Sequence, residues 1–328
     1  MDYSSHHPRN VVVAFVLFFL ACQSFGQEYP NKPIRFIIPT APSGGADVIA
    51  RALGQKFSEN LGQPAVYDNR AGAGGVIGSE IAAKSPPDGY TILIVTSAHA
   101  VNPSLYGKLP YDTQKDFAPV GLVGGVSYVL SVHPSLPVHS IRELIALAKA
   151  KPGQLNYGSA GNGTSNHMAM EYFKMTAGIN MVHVPYKGGA PATTALLTGE
   201  VQANFSSPPH VISHIRNGRL RGLAVTSPQR LPPLPELLTI AESGFPGYRD
   251  YGWYGILAPA GTPKVIIDRL NREIVKILGL PDVKQFYGRL GIEPTSETLP
   301  EEFGALIRSE MVRFEKVVKK AGIRIDKR

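Results

Sequence analysis

Arg35-Phe36-Ile37-Ile38-Pro39 runs directly into Thr40-Ala41-Pro42-Ser43-Gly44-Gly45-Ala46-Asp47, and then into Val48–Phe57. The first stretch is short and apolar, as a buried strand is. After the Gly44-Gly45 turn, Val48, Ile49, Ala52, Leu53 and Phe57 recur at helical spacing. Strand, Gly-rich turn, helix is the βα unit, and the chain repeats it. Ala65–Asn69 reads as a second strand. Gly74–Ala83 reads as a Gly-rich helix with Val76, Ile77 and Ile81 on one face. Thr91–Thr96 shows no polar alternation, which marks a strand covered on both faces. Ser140 and Glu143 form a capping box that opens a helix to Ala150, stopped by Pro152-Gly153. Further strands are expected at Leu155–Ser159, Met181–Pro185, Val201–Phe205 and Leu220–Thr226. Thr262-Pro263 reads as an N-cap and N1 proline for a helix to Leu278. Thr298 and Glu301 read as the cap of a last helix, whose stripe is Phe303, Leu306, Ile307, Phe314, Val317 and Val318. This order predicts an α/β fold with mainly parallel sheets.

The 328 residues exceed one small core, and at about 150 residues per domain they predict two. Apolar residues at 43% and charged residues at 18% exclude a disordered chain and a polytopic membrane protein. The single Cys excludes a disulfide framework and any Cys-based zinc or iron–sulfur site. Net charge is +8, from 33 basic and 25 acidic residues, which suits an anionic partner.

Residues 1–26 read as a signal peptide. Val11–Ala21 is an unbroken apolar run, too short to span a bilayer comfortably but suited to an h-region. Arg9, His6 and His7 precede it, and Ser24-Phe25-Gly26 offers small residues for cleavage before Gln27. Cys22 also admits a lipid anchor, against which weighs Phe19 where a lipobox has Leu. Cleavage removes one Arg and one Asp, so the charge stays at +8. A mature chain without Cys suits an oxidising compartment.

In open α/β sheets, ligands sit outside the carboxyl ends of strands. Four such loops here are rich in Gly and small hydroxyl residues: Thr40–Asp47, Gly158–His167, Pro185–Ala190 and Thr96–His99. Three lead straight into predicted helices, whose first N–H groups lack partners and can cradle an anion. An ordinary tight βα turn accounts for any one of these loops; several together argue for a binding site.

Catalytic signatures fail. Gly72-Ala73-Gly74-Gly75-Val76-Ile77 has Ile77 at the third glycine of a dinucleotide fingerprint. Gly107-Lys108-Leu109 lacks the hydroxyl of a phosphate-binding loop, and Gly158-Ser159-Ala160-Gly161 is not a nucleophile elbow. His210 and His214 share the spacing of metal ligands, but no Glu or Cys accompanies them, and a solvated helix face is the better reading. His167 reads as a structural His rather than a general base. Asp47 suits a ligand amine, or simply the first turn of a helix, where an acid meets the favourable end of the dipole. Basic residues are dispersed without interleaved aromatics, which argues against nucleic acid.

Taken together, these stretches resemble the Bug/TctC family, the periplasmic solute receptors of tripartite tricarboxylate transporters. The resemblance is carried by Pro33-Ile34-Arg35 through Arg51, Asn69–Gly75, Pro87–Thr91, Tyr157–His167, Val184–Gly188 and Trp253–Pro263, in order along the mature chain.

The resemblance implies a type II periplasmic-binding-protein fold with an interlobe ligand cleft. Lobe I would be residues 27–124 plus 250–328, and lobe II residues 125–249, with crossings near Leu122–Ser127 and Tyr248–Tyr254. It implies a carboxylate held by backbone N–H groups of Ser43, Gly44, Gly45 and Ala46, facing Ser159, Ala160, Gly163 and Thr164. Asp47 and the loop of Lys187, Gly188, Gly189 and Ala190 would lie nearby. Thr40 stands where the family commonly has Phe or Tyr, and Ser43 where Gly is frequent. The floor of the site is therefore expected to be wider or more polar. The implied partners are a small organic acid or amino-acid-like ligand and the membrane subunits of a transporter, with the receptor itself a monomer. No cofactor, metal or catalytic activity is expected. A sensor that presents its ligand to a membrane signalling protein would share these features, and a periplasmic enzyme is the rival from another class.

Export has a direct check. N-terminal sequencing of periplasmic protein is expected to begin at Gln27, or at a lipidated Cys22 if the anchor is used. An intact Met1 on cytosolic protein overturns the export reading.

Overall fold

The computed structural model describes residues 29–248, 252–295 and 297–323. The expected signal peptide and Cys22 lie outside the described residues. β1 (Ile34–Ile38), α1 (Gly45–Leu61), β2 (Ala65–Asn69), α2 (Val76–Ala83), β3 (Thr91–Thr96), α3 (Ala98–Leu105) and β4 (Phe117–Val126) follow in succession. Next come β5 (Val129–Val132), α4 (Ile141–Ala150), β6 (Asn156–Ser159), α5 (Ser165–Ala177), β7 (Val182–Pro185), α6 (Gly189–Leu197), β8 (Ala203–Ser206), α7 (Pro208–Arg216) and β9 (Arg221–Val225). The chain then returns through β10 (Gly252–Pro259), α8 (Lys264–Gly279), α9 (Pro281–Arg289), β11 (Ile292–Pro294) and α10 (Pro300–Ala321).

Two sheets result, in the orders β11-β4-β10-β3-β1-β2 and β7-β6-β8-β5-β9. The parallel pairs are β1 with β2 and β3, and β6 with β7 and β8. These are the strands joined by crossover helices. β10 runs antiparallel to β3 and β4, and β5 antiparallel to β8 and β9. Both sheets are therefore mixed, because β5 and β10 each enter their sheet from the other one. β4 ends at Val126 and β5 begins at Val129, so the outward passage is short. There Tyr128 and Thr226 pair, N–H to Oγ1 at 2.9 Å and carbonyl to N–H at 3.0 Å.

The first βα unit forms for the expected reasons. Ile49, Ala50, Leu53 and Phe57 bury one face of α1, and Phe57 meets Phe36 edge to face at 5.7 Å. Gly62 ends the helix in the left-handed region at φ +67°, its N–H on the Ser58 carbonyl. Ser140 caps α4 as read, accepting from the Glu143 N–H at 3.2 Å. Two other caps shift. α8 starts at Lys264 with Pro263 as its cap, while the Thr262 hydroxyl bonds the Pro259 carbonyl. α10 starts at Pro300, and Glu302 rather than Glu301 reaches back to the Leu299 N–H. In α10 the proline supplies the first helical φ, whereas in α8 Pro263 stays extended at ψ 138° and the helix begins after it. Ile77 departs as well. It is 44% exposed while Val76 is buried, because adjacent helical positions lie about 100° apart.

α10 ties the two halves together. Phe314, Val317 and Val318 pack with Val101 and Leu105 of α3 and with Met168 of α5. On the other flank Phe303 lies against Trp253 and fills the space over Gly255, where an added Cβ would overlap its ring. Gly255→Ala is expected to lower stability by about 2 kcal/mol through overpacking, which urea unfolding of the variant against the wild type measures. An unchanged midpoint would show that Phe303 can move aside at no cost.

Candidate functional site

Six helices begin at the wall of one cavity of about 730 Å³. α1, α2 and α3 start there from the first sheet, and α5, α6 and α7 from the second. The lining includes Gly44–Ala46, Gly72–Gly75, Ala98–His99, Thr164–Asn166, Gly188–Gly189 and Ser206–Ser207. Tyr128 and Tyr254, beside the two passages between sheets, line it too. The first-turn N–H groups of a helix have no carbonyl four residues back, and the peptide dipoles leave that end partly positive. Several such ends on one cavity make it a place for negative charge, although α7 opens on Pro208-Pro209 and so brings its dipole without N–H groups at its first two positions. Lys187 is its one Lys or Arg among the described residues, and no described Asp or Glu lines it.

The polar side chains around the cavity shape its loops. Asp47 is buried and turned away from the cavity. It accepts from the Ser43 N–H at 2.9 Å, from Asn69 Nδ2 at 3.0 Å and from Arg51 Nε at 3.0 Å. Burial pushes its carboxyl up, but these partners outweigh that and hold it below the usual carboxylate range. The brace keeps Ser43 at φ +65°, a left-handed conformation that a non-glycine residue adopts only under such constraint. Across the cavity, Gly163 gives its N–H to His167 Nδ1 at 3.1 Å, and Ser159 Oγ lies 2.6 Å from His183 Nε2. Asn166 Nδ2 donates to the Phe205 carbonyl at 3.1 Å, fixing the start of α5 against β8. Ser97 Oγ donates to Ser165 Oγ at 2.7 Å, joining the two sides.

Of the residues expected at the site, Gly44, Gly45, Ala46, Ala160, Thr164, Lys187, Gly188 and Gly189 line the cavity. Ser43, Asp47, Ser159, Gly163 and Ala190 do not. The N–H groups of Ser43 and Gly163 are already donated, and that of Gly44 bonds the Ala41 carbonyl. Ser159 is fully buried, so its closeness to His183 offers no nucleophile to a ligand. Ala190 faces solvent. His210 lines the cavity beside Gly189 instead of standing on a solvated face, and no group of three metal-binding side chains occurs among the described residues. Sequence reasoning missed Asn102, Tyr106, Tyr254 and the Gly72–Gly75 turn as wall residues. The failed dinucleotide fingerprint at Gly72–Gly75 was the available signal.

Two α/β sheets with a cavity between their βα turns define a type II periplasmic-binding-protein fold, the architecture of extracytoplasmic solute receptors. The model of the family described as "Tripartite tricarboxylate transporter family receptor" matches residues 49–323, and the chain belongs to that family. This is a family of receptors, not of enzymes. The chain is 40% identical to BugT of Bordetella pertussis over 93% of its own length and 94% of that protein's. Its structure resembles that of Rpa4515 of R. palustris with adipate, at TM-score 0.83 and 37% identity over 91% of this chain and all of the other. It also resembles MatC of Rhodopseudomonas palustris with bound malate, at TM-score 0.80 and 28% identity over 88% of this chain and all of the other.

The histidines behind the second wall make folding sensitive to acid. His167 and His183 stack with ring centroids 3.8 Å apart. Burial pushes His167 down to about 3, helped by His183 and Lys174, and pushes His183 down to about 4, helped by Lys174. Burial alone takes His99 to about 4. All three stay neutral in the folded state and take up protons near pH 6.5 once unfolded. Their contribution to stability is therefore complete above pH 6.5 and drains as pH falls toward 4. Each buried histidine can add up to about 1.4 kcal/mol per pH unit across that window. Urea unfolding at pH 7.5, 6.5 and 5.5 is expected to show falling stability before most carboxylates titrate, with a shallower slope in His183→Gln. A flat profile would mean that the histidines ionise freely in the fold.

Proposed function

We propose that this chain is an exported periplasmic receptor that captures a small carboxylate-bearing ligand between two lobes. Delivery is to the membrane subunits of a tripartite tricarboxylate-type transporter. The observation that carries the reading is the meeting of six helix N-termini on one cavity whose described lining has a single Lys and no Asp or Glu. An anion there gains from backbone N–H groups of Gly45, Ala46, Ser165 and Gly189, which the first helical turns leave without internal partners. Two similar structures, one with adipate and one with bound malate, support a carboxylate. The lobes of this proposal are residues 27–124 plus 250–328 and residues 125–249, each built on one of the two sheets, with β4 running to Val126. Export rests on residues 1–26. Among the described residues no helix is long and apolar enough to cross a membrane.

A thermal-shift screen of mono- and dicarboxylates, amino acids and aromatic acids tests the reading. At one hundred times its dissociation constant a ligand stabilises the fold by about 2.7 kcal/mol, or several degrees at roughly 2–4 °C per kcal/mol. Gly45→Val is expected to remove most of the shift, since a Cβ there would run into the Tyr254 hydroxyl at the cavity wall. Lys187→Ala should keep most of it. Loss of binding in Lys187→Ala with retention in Gly45→Val would mean that a side-chain charge, not the backbone, holds the anion.

A further inference from the structure

The cavity has a recess between α2 and α3, lined by Gly74, Ser79, His99, Asn102 and Tyr106. Its side chains are polar, uncharged and buried: Ser79, His99 and Asn102 are 2%, 3% and 1% exposed. Their hydrogen-bonding capacity is incompletely used. His99 Nδ1 lies 3.5 Å from Ser79 Oγ, while His99 Nε2 has no partner. Asn102 Nδ2 donates to the Gly74 carbonyl at 3.2 Å, while Asn102 Oδ1 accepts nothing, and the Tyr111 hydroxyl beside Asn102 and Ser79 is likewise buried without a partner. On the cavity wall nearer β1, Thr40 Oγ1 is also buried and unpartnered. Leaving a buried polar atom unpaired is unfavourable, and native folds pair nearly all of them. Several unpaired atoms along one cavity point to a ligand group that completes them.

The chemistry of that group follows from the atoms. Asn102 Oδ1 is an acceptor and needs a donor. His99 Nε2 donates or accepts according to which nitrogen carries the proton, so it adapts to either. A carboxylate only accepts, and would set its charge against Asn102 Oδ1 with no cation in the recess. An ammonium would be buried there without a counter-charge, which is equally unfavourable. An uncharged group that both donates and accepts suits Asn102 Oδ1 and His99 Nε2 alike.

We infer that this recess is a specificity subsite for the far end of the ligand, and that it takes a hydroxyl or a primary amide rather than a second carboxylate. The inference rests on the carboxylate-receptor reading above. It gives the ligand one carboxylate at the helix N-termini and an uncharged hydrogen-bonding tail against His99 and Asn102. Thr40 widens the polar wall that the tail passes.

Isothermal titration of the full mature protein decides the matter, with hexanoate, its terminal-hydroxyl and terminal-amide analogues, and adipate, together with the same set at four carbons. In the wild type, the hydroxyl or amide analogue of the fitting length is expected to bind about tenfold more tightly than both the parent acid and the diacid, as one added buried hydrogen bond allows. His99→Phe keeps a ring against Tyr111 and Phe117, and should bring that analogue down to the affinity of the parent acid measured in the same variant. Asn102→Leu should act in the same direction. The subsite is overturned if the diacid binds most tightly, if the analogues only equal the parent acid so that water alone fills the recess, or if a folded His99→Phe protein keeps the preference. If none of the acids binds, while Gly45→Val and wild type behave alike toward all of them, the receptor reading itself falls and the subsite with it.

Discussion

Gly255 is the point on which the two halves converge. It sits in β10 between β4 and β3, with Phe303 of α10 directly over it. A strand here must pair on both edges and accept an aromatic ring on its face, and only a residue without Cβ permits that approach. Gly124 and Gly252 serve the same ladder, one beneath the β11 backbone and the other beside Tyr128. The β4–β10 pair lies where the chain leaves the first sheet and where it re-enters. Its register therefore fixes how the second sheet faces the first. β3 takes its position from β10, and β1 from β3, so the loops that open α1 and α3 inherit theirs from the same ladder. The convergence of helix ends on one cavity is a consequence of strand pairing, established well away from the ligand.

With the frame set, the side chains nearest the cavity act mainly on backbone. Asp47 holds the turn before α1; His167 and Asn166 hold the turn before α5; Asn204 takes the Gly158 N–H at 2.7 Å and gives its amide to the Ala192 carbonyl at 2.7 Å. Each bond removes one backbone group from solvent competition and fixes a loop. What remains exposed to the cavity are the first-turn N–H groups, which need no charged side chain to attract an anion. Lys174 carries the same economy behind the wall. It pairs with Glu171 at 2.5 Å, and Glu171 in turn accepts from the buried Tyr157 hydroxyl, whose own ionisation burial pushes far up. Lys174 and Glu171 neutralise one another behind the wall, so Lys187 is the one Lys or Arg among the described residues that adds to the field of the helix ends.

The parallel half of each sheet was legible because its units are local. Arg35–Phe57 carries strand, turn and helix in one stretch, and the apolar spacing of α1 depends on nothing outside it. β4 was not legible. Phe117–Val126 contains Pro119, Gly121, Gly124 and Gly125, which read as a turn-rich segment when taken alone. Gly121 and Gly124 are there because Asn271 and the Glu293 backbone press on the strand, a fact of tertiary contact. β10 escaped for the same reason. At the site, the Gly-rich loops showed in the sequence, whereas the division of labour within them did not. Ser43 and Gly163 look as available as Gly45 until their hydrogen bonds are seen. α3 hid longest, since Pro103 interrupts it and His99 and Asn102 become wall residues only when α2 packs beside them.

A backbone cradle attracts any carboxylate of suitable size, because N–H groups at helix ends meet the carboxylate and not the rest of the ligand. Discrimination must then come from the walls that meet the rest of the ligand. In this chain the first wall carries Thr40, Ser79, His99, Asn102 and Tyr106, and the second Ser206, Ser207 and His210. None of these bears a full charge at neutral pH: burial takes His99 to about 4 and also lowers His210. Neutral donors and acceptors distinguish ligands by whether every hydrogen bond is matched, a penalty that grows as water is excluded. On the proposed reading, charge steers the anion in and the uncharged wall residues select among the anions that arrive. The two tasks are separated in space, helix ends for one and side chains for the other. On that reading, altering wall residues such as Thr40 changes the ligand while the loops proposed to hold the carboxylate stay as they are.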